Sequence, residues 1–259
     1  MVDFLDILAK TAKKTLEKGY YKGISSVNRT NTSLKQAIIH EDKAPVISEI
    51  KTASPSAGII RKKINSDEIA KKMKKGGATA ISVLTEPIYF KGSLTTLRIT
   101  RESVDLPILM KDIILNPLQL EVAYKLGANV VLLIQTLFDR GYSEYKLKDM
   151  ISFAHSKKLE VLLETHNEKE FIAAIETKAD LVGINNRDLG SLEINLNTTK
   201  EILEKINKKN KLIVSESGIK TPADLFFLHD CGADAFLIGS AIMKDENIQE
   251  KVKEFVSTI

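Results

Sequence analysis

Eight short apolar runs, each ending in polar residues, organise this chain. The first carries Val46, Ile47 and Ile50 into Glu49-Ile50-Lys51-Thr52-Ala53-Ser54-Pro55-Ser56, and seven more follow at Thr79–Leu84, Pro107–Asp112, Asn129–Ile134, Glu160–Glu164, Asp180–Asn185, Lys211–Glu216 and Asp234–Gly239. Near-continuous apolar runs indicate strands buried on both faces, the mark of a parallel sheet covered by helices. Polar residues gather only at the C-terminal ends: Thr85 and Glu86, Lys111 and Asp112, Gln135, Glu164, Asn185 with Asn186 and Arg187, Ser215 with Glu216 and Ser217, then Gly239 and Ser240.

Helical segments are predicted between the runs at Ser66–Lys75, Pro117–Leu126, Glu144–Lys157, Asn167–Thr177, Thr198–Asn207 and Pro222–Asp230. Pro117 and Pro222 suit a first turn, and Ser66, Ser143, Asn167, Asn197 and Thr221 are candidate caps. Gly77-Ala78, Gly127-Ala128 and Gly232-Ala233 repeat one helix-to-strand junction, where glycine supplies a left-handed ending. Eight strand–helix units in 259 residues predict an α/β fold of the (β/α)8 TIM-barrel type, since open doubly wound sheets more often stop at five or six strands. The polarity of the runs agrees, because such barrels build their sites at the C-terminal strand ends. Residues 1–259 read as one barrel domain, with 1–45 an N-terminal helical extension docking on it. In that extension Asp3–Lys18 presents Phe4, Leu5, Leu8, Ala12 and Leu16 on one face, and Ser33–Ile39 forms a second short helix.

Composition narrows the classes without choosing one. With 43% hydrophobic and 28% charged residues, the chain reads as an ordinary globular protein. Its net charge of +4 comes from scattered lysine doublets such as Lys71-Lys72 and Lys208-Lys209, with no basic patch interleaved with stacking aromatics, so no nucleic-acid partner is expected. No run approaches a membrane span and no secretory apolar segment opens the sequence, so no membrane association and a cytoplasmic location are expected. Cys231 reads as a small buried residue without a redox role. The four histidines show no metal-ligand spacing, and no metal is expected.

The chemistry concentrates at two places. Glu49 and Lys51 stand two apart and face the same side of their strand; alone they read as readily as a surface ion pair as a site. Ser215-Glu216-Ser217-Gly218-Ile219 and Leu237-Ile238-Gly239-Ser240-Ala241 follow the last two runs, where barrels commonly bind phosphate. Small residues there let backbone amides approach an anion, although simple turn glycines would look the same locally. His166, two beyond Glu164, lines the site or its rim.

These residues resemble one family, indole-3-glycerol-phosphate synthase of tryptophan biosynthesis. The resemblance rests on ISEIKTASPSAGII (47–60), ISVLTEPIYFKGSL (81–94), PILMKDII (107–114), ANVVLLI (128–134), LLETHNEKE (162–170), LVGINNRDL (181–189), VSESGI (214–219) and 232–243, in family order. Two positions depart from it: Ala57 stands where many members have lysine, and Ile113 where phenylalanine commonly follows Lys-Asp.

The resemblance implies closure of 1-(2-carboxyphenylamino)-1-deoxyribulose 5-phosphate to indole-3-glycerol phosphate with loss of carbon dioxide and water, without a cofactor. It implies Lys111 as general acid, Glu164 as general base, and Lys51 on the substrate carboxylate with a share in dehydration. Glu49, Asn185 and Glu216 hold the lysines and ketose hydroxyls. Ser56, Ser217, Gly218, Gly239 and Ser240 cradle the phosphate. Phe90, Leu132 or Leu133, Ile184 and Leu237 form the aromatic slot, and Arg187 braces its strand end and touches substrate. The phosphorylated anthranilate-ribulose compound is the expected small-molecule partner, and a monomer or weak oligomer the expected state. Two rivals are a flavin-dependent barrel, which leaves Lys51, Lys111 and Glu164 without a joint purpose, and a non-catalytic scaffold, which leaves intact acid and base positions unexplained.

Overall fold

The computed structural model describes residues 3–56, 58–62 and 64–259. Two helices, α1 (Phe4–Glu17) and α2 (Leu34–Ile39), precede the first strand β1 (Val46–Ile50). A small antiparallel hairpin of β2 (Ala53–Ser54) and β3 (Gly58–Ile59) follows. Then come α3 (Ser66–Lys75), β4 (Ala80–Leu84), α4 (Leu94–Ser103), β5 (Ile108–Lys111), α5 (Pro117–Lys125), β6 (Val130–Ile134), α6 (Gln135–Asp139) and α7 (Leu147–Ser156). The chain ends with β7 (Glu160–Thr165), α8 (Glu168–Ile175), β8 (Leu181–Asn185), α9 (Asn197–Lys205), β9 (Leu212–Glu216), α10 (Pro222–Asp230), β10 (Ala235–Ile238), α11 (Ser240–Lys244) and α12 (Ile248–Val256).

Eight parallel strands close on themselves in the order β1-β10-β9-β8-β7-β6-β5-β4, so the architecture is the (β/α)8 barrel that the runs predict. Alternate residues divide the core in two. Outward residues such as Val46, Val83, Leu133, Val161 and Phe236 pack under the helices, while inward ones such as Ile47, Leu109, Leu132, Leu162 and Val214 fill the barrel. Gly77, Gly127 and Gly232 take φ of 92°, 77° and 100°, the left-handed helix endings that no other residue adopts cheaply.

Local signals place most helix starts, with differences. Asn167 and Thr221 cap their helices, but Asn65 caps α3 in place of Ser66. The helix expected from Glu144 begins at Leu147 without a side-chain cap, because Ser143 donates to Leu115 O (2.8 Å) and accepts from Tyr145 N (3.1 Å) in the preceding turn. Asn197 is the first residue of α9 and not its cap. Cys231 ends α10 half-buried, not enclosed, because its junction lies at the outer surface.

The two leading helices take opposite ends of the barrel. α2 closes the bottom: Ser33 Oγ, Leu34 N (2.8 Å) and Lys35 N (3.2 Å) all bind the carboxylate of Glu160, the first residue of β7. α1 lies over the top, capped by Asp3 and joined at Asp3 and Asp6 to Arg140 (2.6 and 2.7 Å), and its Phe4 and Leu8 border the mouth. Between these helices Tyr21 is buried and donates to Asp112 Oδ2 (2.9 Å), which also accepts from Thr85 Oγ1 (2.5 Å), while Asp112 Oδ1 accepts from Ile113 N (2.7 Å). Removing one donor leaves a buried carboxylate short of a partner, so Tyr21→Phe is expected to cost about 1–3 kcal/mol in urea denaturation. A loss below about 0.5 kcal/mol, typical of a neutral surface change, would overturn that expectation.

Candidate active site

The C-terminal mouth of the barrel holds a cavity whose floor is charged and whose walls are apolar. Inward positions at the strand tops bring Glu49, Lys111, Glu164, Asn185 and Glu216 together, with Lys51 just beyond β1. Glu49 and Lys51 are not a surface pair: Lys51 Nζ lies 2.7 Å from Glu49 Oε1, and the Glu49 side chain is only 3% exposed. Lys111 Nζ lies 2.8 Å from Glu216 Oε2 and 3.4 Å from Glu49 Oε2. Two glycines make this packing possible. A Cβ at Gly183 would overlap Glu216 Oε1, and one at Gly239 would come within 2.5 Å of Glu49 Oε1.

Charge is unevenly shared among these groups. Burial works against the Lys111 ammonium, yet Glu216, Glu49 and Glu164 around it push it above the ordinary lysine value and keep it protonated. Burial would raise Glu49, but Lys51 and Lys111 outweigh it and hold Glu49 below the usual carboxylate range. Glu216 goes the other way, pushed up to about 7 by complete burial, because Lys111 pulls against two neighbouring carboxylates, Glu164 and Glu49. Glu216 does not border the cavity; it lies beneath Lys111 and anchors it.

Glu164 is also held below the usual range despite its burial, first by His166 and then by Lys111 and a hydrogen bond from Asn185. The Asn185 oxygen is taken by Arg187 N (3.0 Å), which orients its amide. Arg187 donates to Leu192 O (2.9 Å) and pairs with Ile194, bracing the loop after β8 at the rim.

Phe90, Leu132 and Leu237 line the cavity from different points around its mouth, with Leu132 on β6 and Leu237 on β10 across the barrel from each other. Leu132 is the inward member of its pair and Leu133 the outward one. Ile184 faces outward under the helices and is not part of the slot, because alternation along β8 gives the inward places to Gly183 and Asn185. Phe90 is set by Glu86, whose carboxylate accepts from Ile88 N, Tyr89 N and Phe90 N at 2.7–2.9 Å, and Thr52 Oγ1 ties that loop to β1 by donating to Phe90 O (3.1 Å). Neither Glu86 nor Thr52 announces this role in sequence.

Ser56, Ser217, Gly218, Gly239 and Ser240 also border the cavity. Ser217 and Gly218 have φ of 66° and 91°, a left-handed turn that Asn186 secures by donating to Glu216 O (3.0 Å) and Ser217 O (3.2 Å). Ala57 lies outside the described residues. Among the described residues no cluster of three or more histidine, cysteine or acidic side chains could hold a metal, and no helix is long and apolar enough to cross a membrane.

A profile of the family described as indole-3-glycerol phosphate synthase matches residues 6–255. The chain belongs to the indole-3-glycerol phosphate synthase family. Relatives of that name include one from Methanocaldococcus jannaschii, 47% identical over 88% of this chain and 83% of the relative. Another, from Aquifex aeolicus, is 43% identical over 82% and 80%, and one from Caldanaerobacter subterraneus is 36% identical over 99% and 97%. Among solved structures, thiamine phosphate pyrophosphorylase from Pyrococcus furiosus superposes with a TM-score of 0.60 over 87% of this chain and 97% of its own, at 17% identity, a likeness of fold alone. The family's barrel and this chain's closed eight-stranded sheet therefore agree.

Proposed function

We propose that this chain closes 1-(2-carboxyphenylamino)-1-deoxyribulose 5-phosphate to indole-3-glycerol phosphate, releasing carbon dioxide and water, as a carboxy-lyase of tryptophan biosynthesis. The observation that carries the reading is the convergence of Lys51, Lys111 and Glu164 at one cavity that apolar side chains and a turn of small residues also line. The anthranilate ring lies against Phe90, Leu132 and Leu237, with its carboxylate toward Lys51. The ring carbon bearing that carboxylate attacks the ketose C2, whose oxygen gains negative charge and takes a proton from Lys111. Loss of carbon dioxide restores the ring. The C2 hydroxyl then departs as water with a second proton, while Glu164 accepts a proton from the adjoining carbon and Lys51 shares in that step. Glu49 and Asn185 hold the lysines and the base in register, and Glu216 anchors Lys111 from below.

Residues 1–259 work as a single domain, with 1–45 as the extension whose Phe4 and Leu8 finish the rim. The enzyme is cytoplasmic, needs no cofactor or nucleic-acid partner, and acts as a monomer or weak oligomer. The isolated chain with the ketose substrate should give rising indole fluorescence over a low background, since the protein has no tryptophan. A flat trace from folded protein overturns the reading.

The phosphate is placed over Ser217-Gly218 and Gly239-Ser240. Gly239 is a poor place to test this, because any side chain there displaces Glu49 first. Ser240→Asp is better: an acid is tolerated at a helix start, yet its carboxylate would repel the phosphate. Calorimetric affinity for indole-3-glycerol phosphate should fall at least about tenfold, as one unfavourable charge contact of ~1.4 kcal/mol requires, while Ser152→Asp on the outer helix α7 leaves it unchanged. Unchanged affinity in folded Ser240→Asp places the phosphate elsewhere.

A further inference from the structure

His166 stands just beyond the top of β7, its side chain only 9% exposed, between two carboxylates. Its Nδ1 lies 3.2 Å from Glu170 Oε2, which also accepts from His166 N (2.9 Å). Glu170 Oε1 is occupied by Thr136 Oγ1 (2.9 Å) and Asn167 Nδ2 (2.8 Å), so the first turn of α8 and the start of α6 fix this carboxylate firmly. On the other side of the ring, Nε2 is 3.1 Å from Glu164 Oε1 and, among the described residues, has no well-aligned hydrogen-bond partner.

This arrangement constrains the protons. Glu170 fixes one on Nδ1. Were the ring then neutral, the Nε2 lone pair would face a carboxylate oxygen at 3.1 Å, two acceptors with no hydrogen between them. A second proton on the ring removes that unfavourable approach, and two flanking carboxylates favour it on the imidazole. The charged and titratable groups around the ring are Glu164 on β7, Glu170 on α8 and, more distantly, Asp188 in the loop after β8. Lys111 reaches it only through Glu164. Burial opposes the imidazolium, but the two glutamates prevail.

We propose that His166 is a positioning residue for the reaction: braced by Glu170, its imidazolium holds the Glu164 carboxylate ionised and oriented toward the cavity. The proposal rests on the synthase reading through the role of Glu164. A base presented to a carbon-bound proton works only if its oxygen is fixed and unprotonated, and no other cation directly contacts Glu164 in the described structure.

The test is the pH profile of turnover in the parent chain, His166→Gln and Glu170→Gln, each checked for folding by circular dichroism. Glutamine keeps a neutral donor beside Glu164 but removes the charge. In His166→Gln, kcat should fall about tenfold or more with KM within about threefold, and the acid limb of kcat/KM should move up by about one pH unit. Glu170→Gln should move it the same way by less. Profiles that superimpose on the parent's, with kcat within about twofold, overturn the proposal. Proton NMR supplies a readout independent of turnover. The His166 resonance, assigned by its loss in His166→Gln, should titrate above the free-histidine value of about 6.5 and fall in Glu164→Gln. A midpoint at or below that value, in a chain that turns over, also overturns it. A parent chain without turnover defeats the synthase reading instead, and the titration alone then decides whether His166 and Glu164 are coupled.

Discussion

Lys111→Ala is expected to lose nearly all turnover while keeping the barrel. General acid catalysis typically contributes about 10²–10⁴-fold, and in the proposed reaction the same ammonium would stabilise negative charge on the ketose oxygen. The structure adds a second consequence, because Lys111 is the cation nearest Glu216, 2.8 Å away. Glu216 already has its pKa raised to about 7, above its unfolded value of about 4.3. The folded chain therefore holds a proton that the unfolded chain has released; the associated stability is full below about pH 4.3 and disappears as pH rises through about 7. Deleting the cation raises Glu216 further, so the stability deficit of Lys111→Ala should widen as pH increases beyond about 7. Urea midpoints at pH 6 and 8 measure this, and fluorescence measures turnover. Retention of more than about a tenth of parental activity would remove Lys111 from the acid role.

The barrel was legible because its signal is repeated. Eight buried strands must read as apolar runs, and the single polar end of each run marks the mouth. No apolar periodicity marks the helix α4: Leu94–Ser103 carries threonines, arginines and serine, and only Leu94, Leu97, Thr100 and Arg101 are buried. Arg101 is buried there because its guanidinium donates to Leu106 O (3.0 Å) and Asn129 Oδ1 (3.2 Å), partners 5 and 28 residues away. No local pattern reveals such pairing.

The same division holds in the site. The convergence of Glu49, Lys51, Lys111, Glu164 and Asn185 at one cavity is legible because strand ends point side chains at one place, and strict alternation also decides Leu132 over Leu133 and removes Ile184. What escaped the sequence is what depends on other elements crossing the mouth. Glu216 underlies Lys111 instead of bordering the cavity because Gly183, on the neighbouring strand, leaves it room. His166 reads in sequence as either site or rim; its place follows from Thr136 and Asn167 fixing Glu170, a constraint drawn from separate segments.

Glu164→Gln should depress kcat by about 10²–10⁴-fold while moving KM only a few-fold, because the amide keeps the shape of the base and loses its ability to accept a proton in the transition state. The substitution is gentle structurally, since the amide oxygen still accepts from Asn185 or from protonated His166. It also alters the pH dependence of stability in a defined direction. His166 is raised to about 9, so its contribution is full below the unfolded value of about 6.5 and vanishes as pH rises through about 9. Glu164, held below its unfolded value, contributes above about pH 4.3 and is lost as pH falls through its depressed value. Removing the carboxylate weakens both, so urea midpoints of the variant should change less than the parent's between pH 7 and 9. If the variant instead keeps kcat and changes only KM, Glu164 binds substrate without acting as the base, and the proton must pass to Lys51, whose Nζ lies 2.7 Å from the Glu49 carboxylate at the same floor.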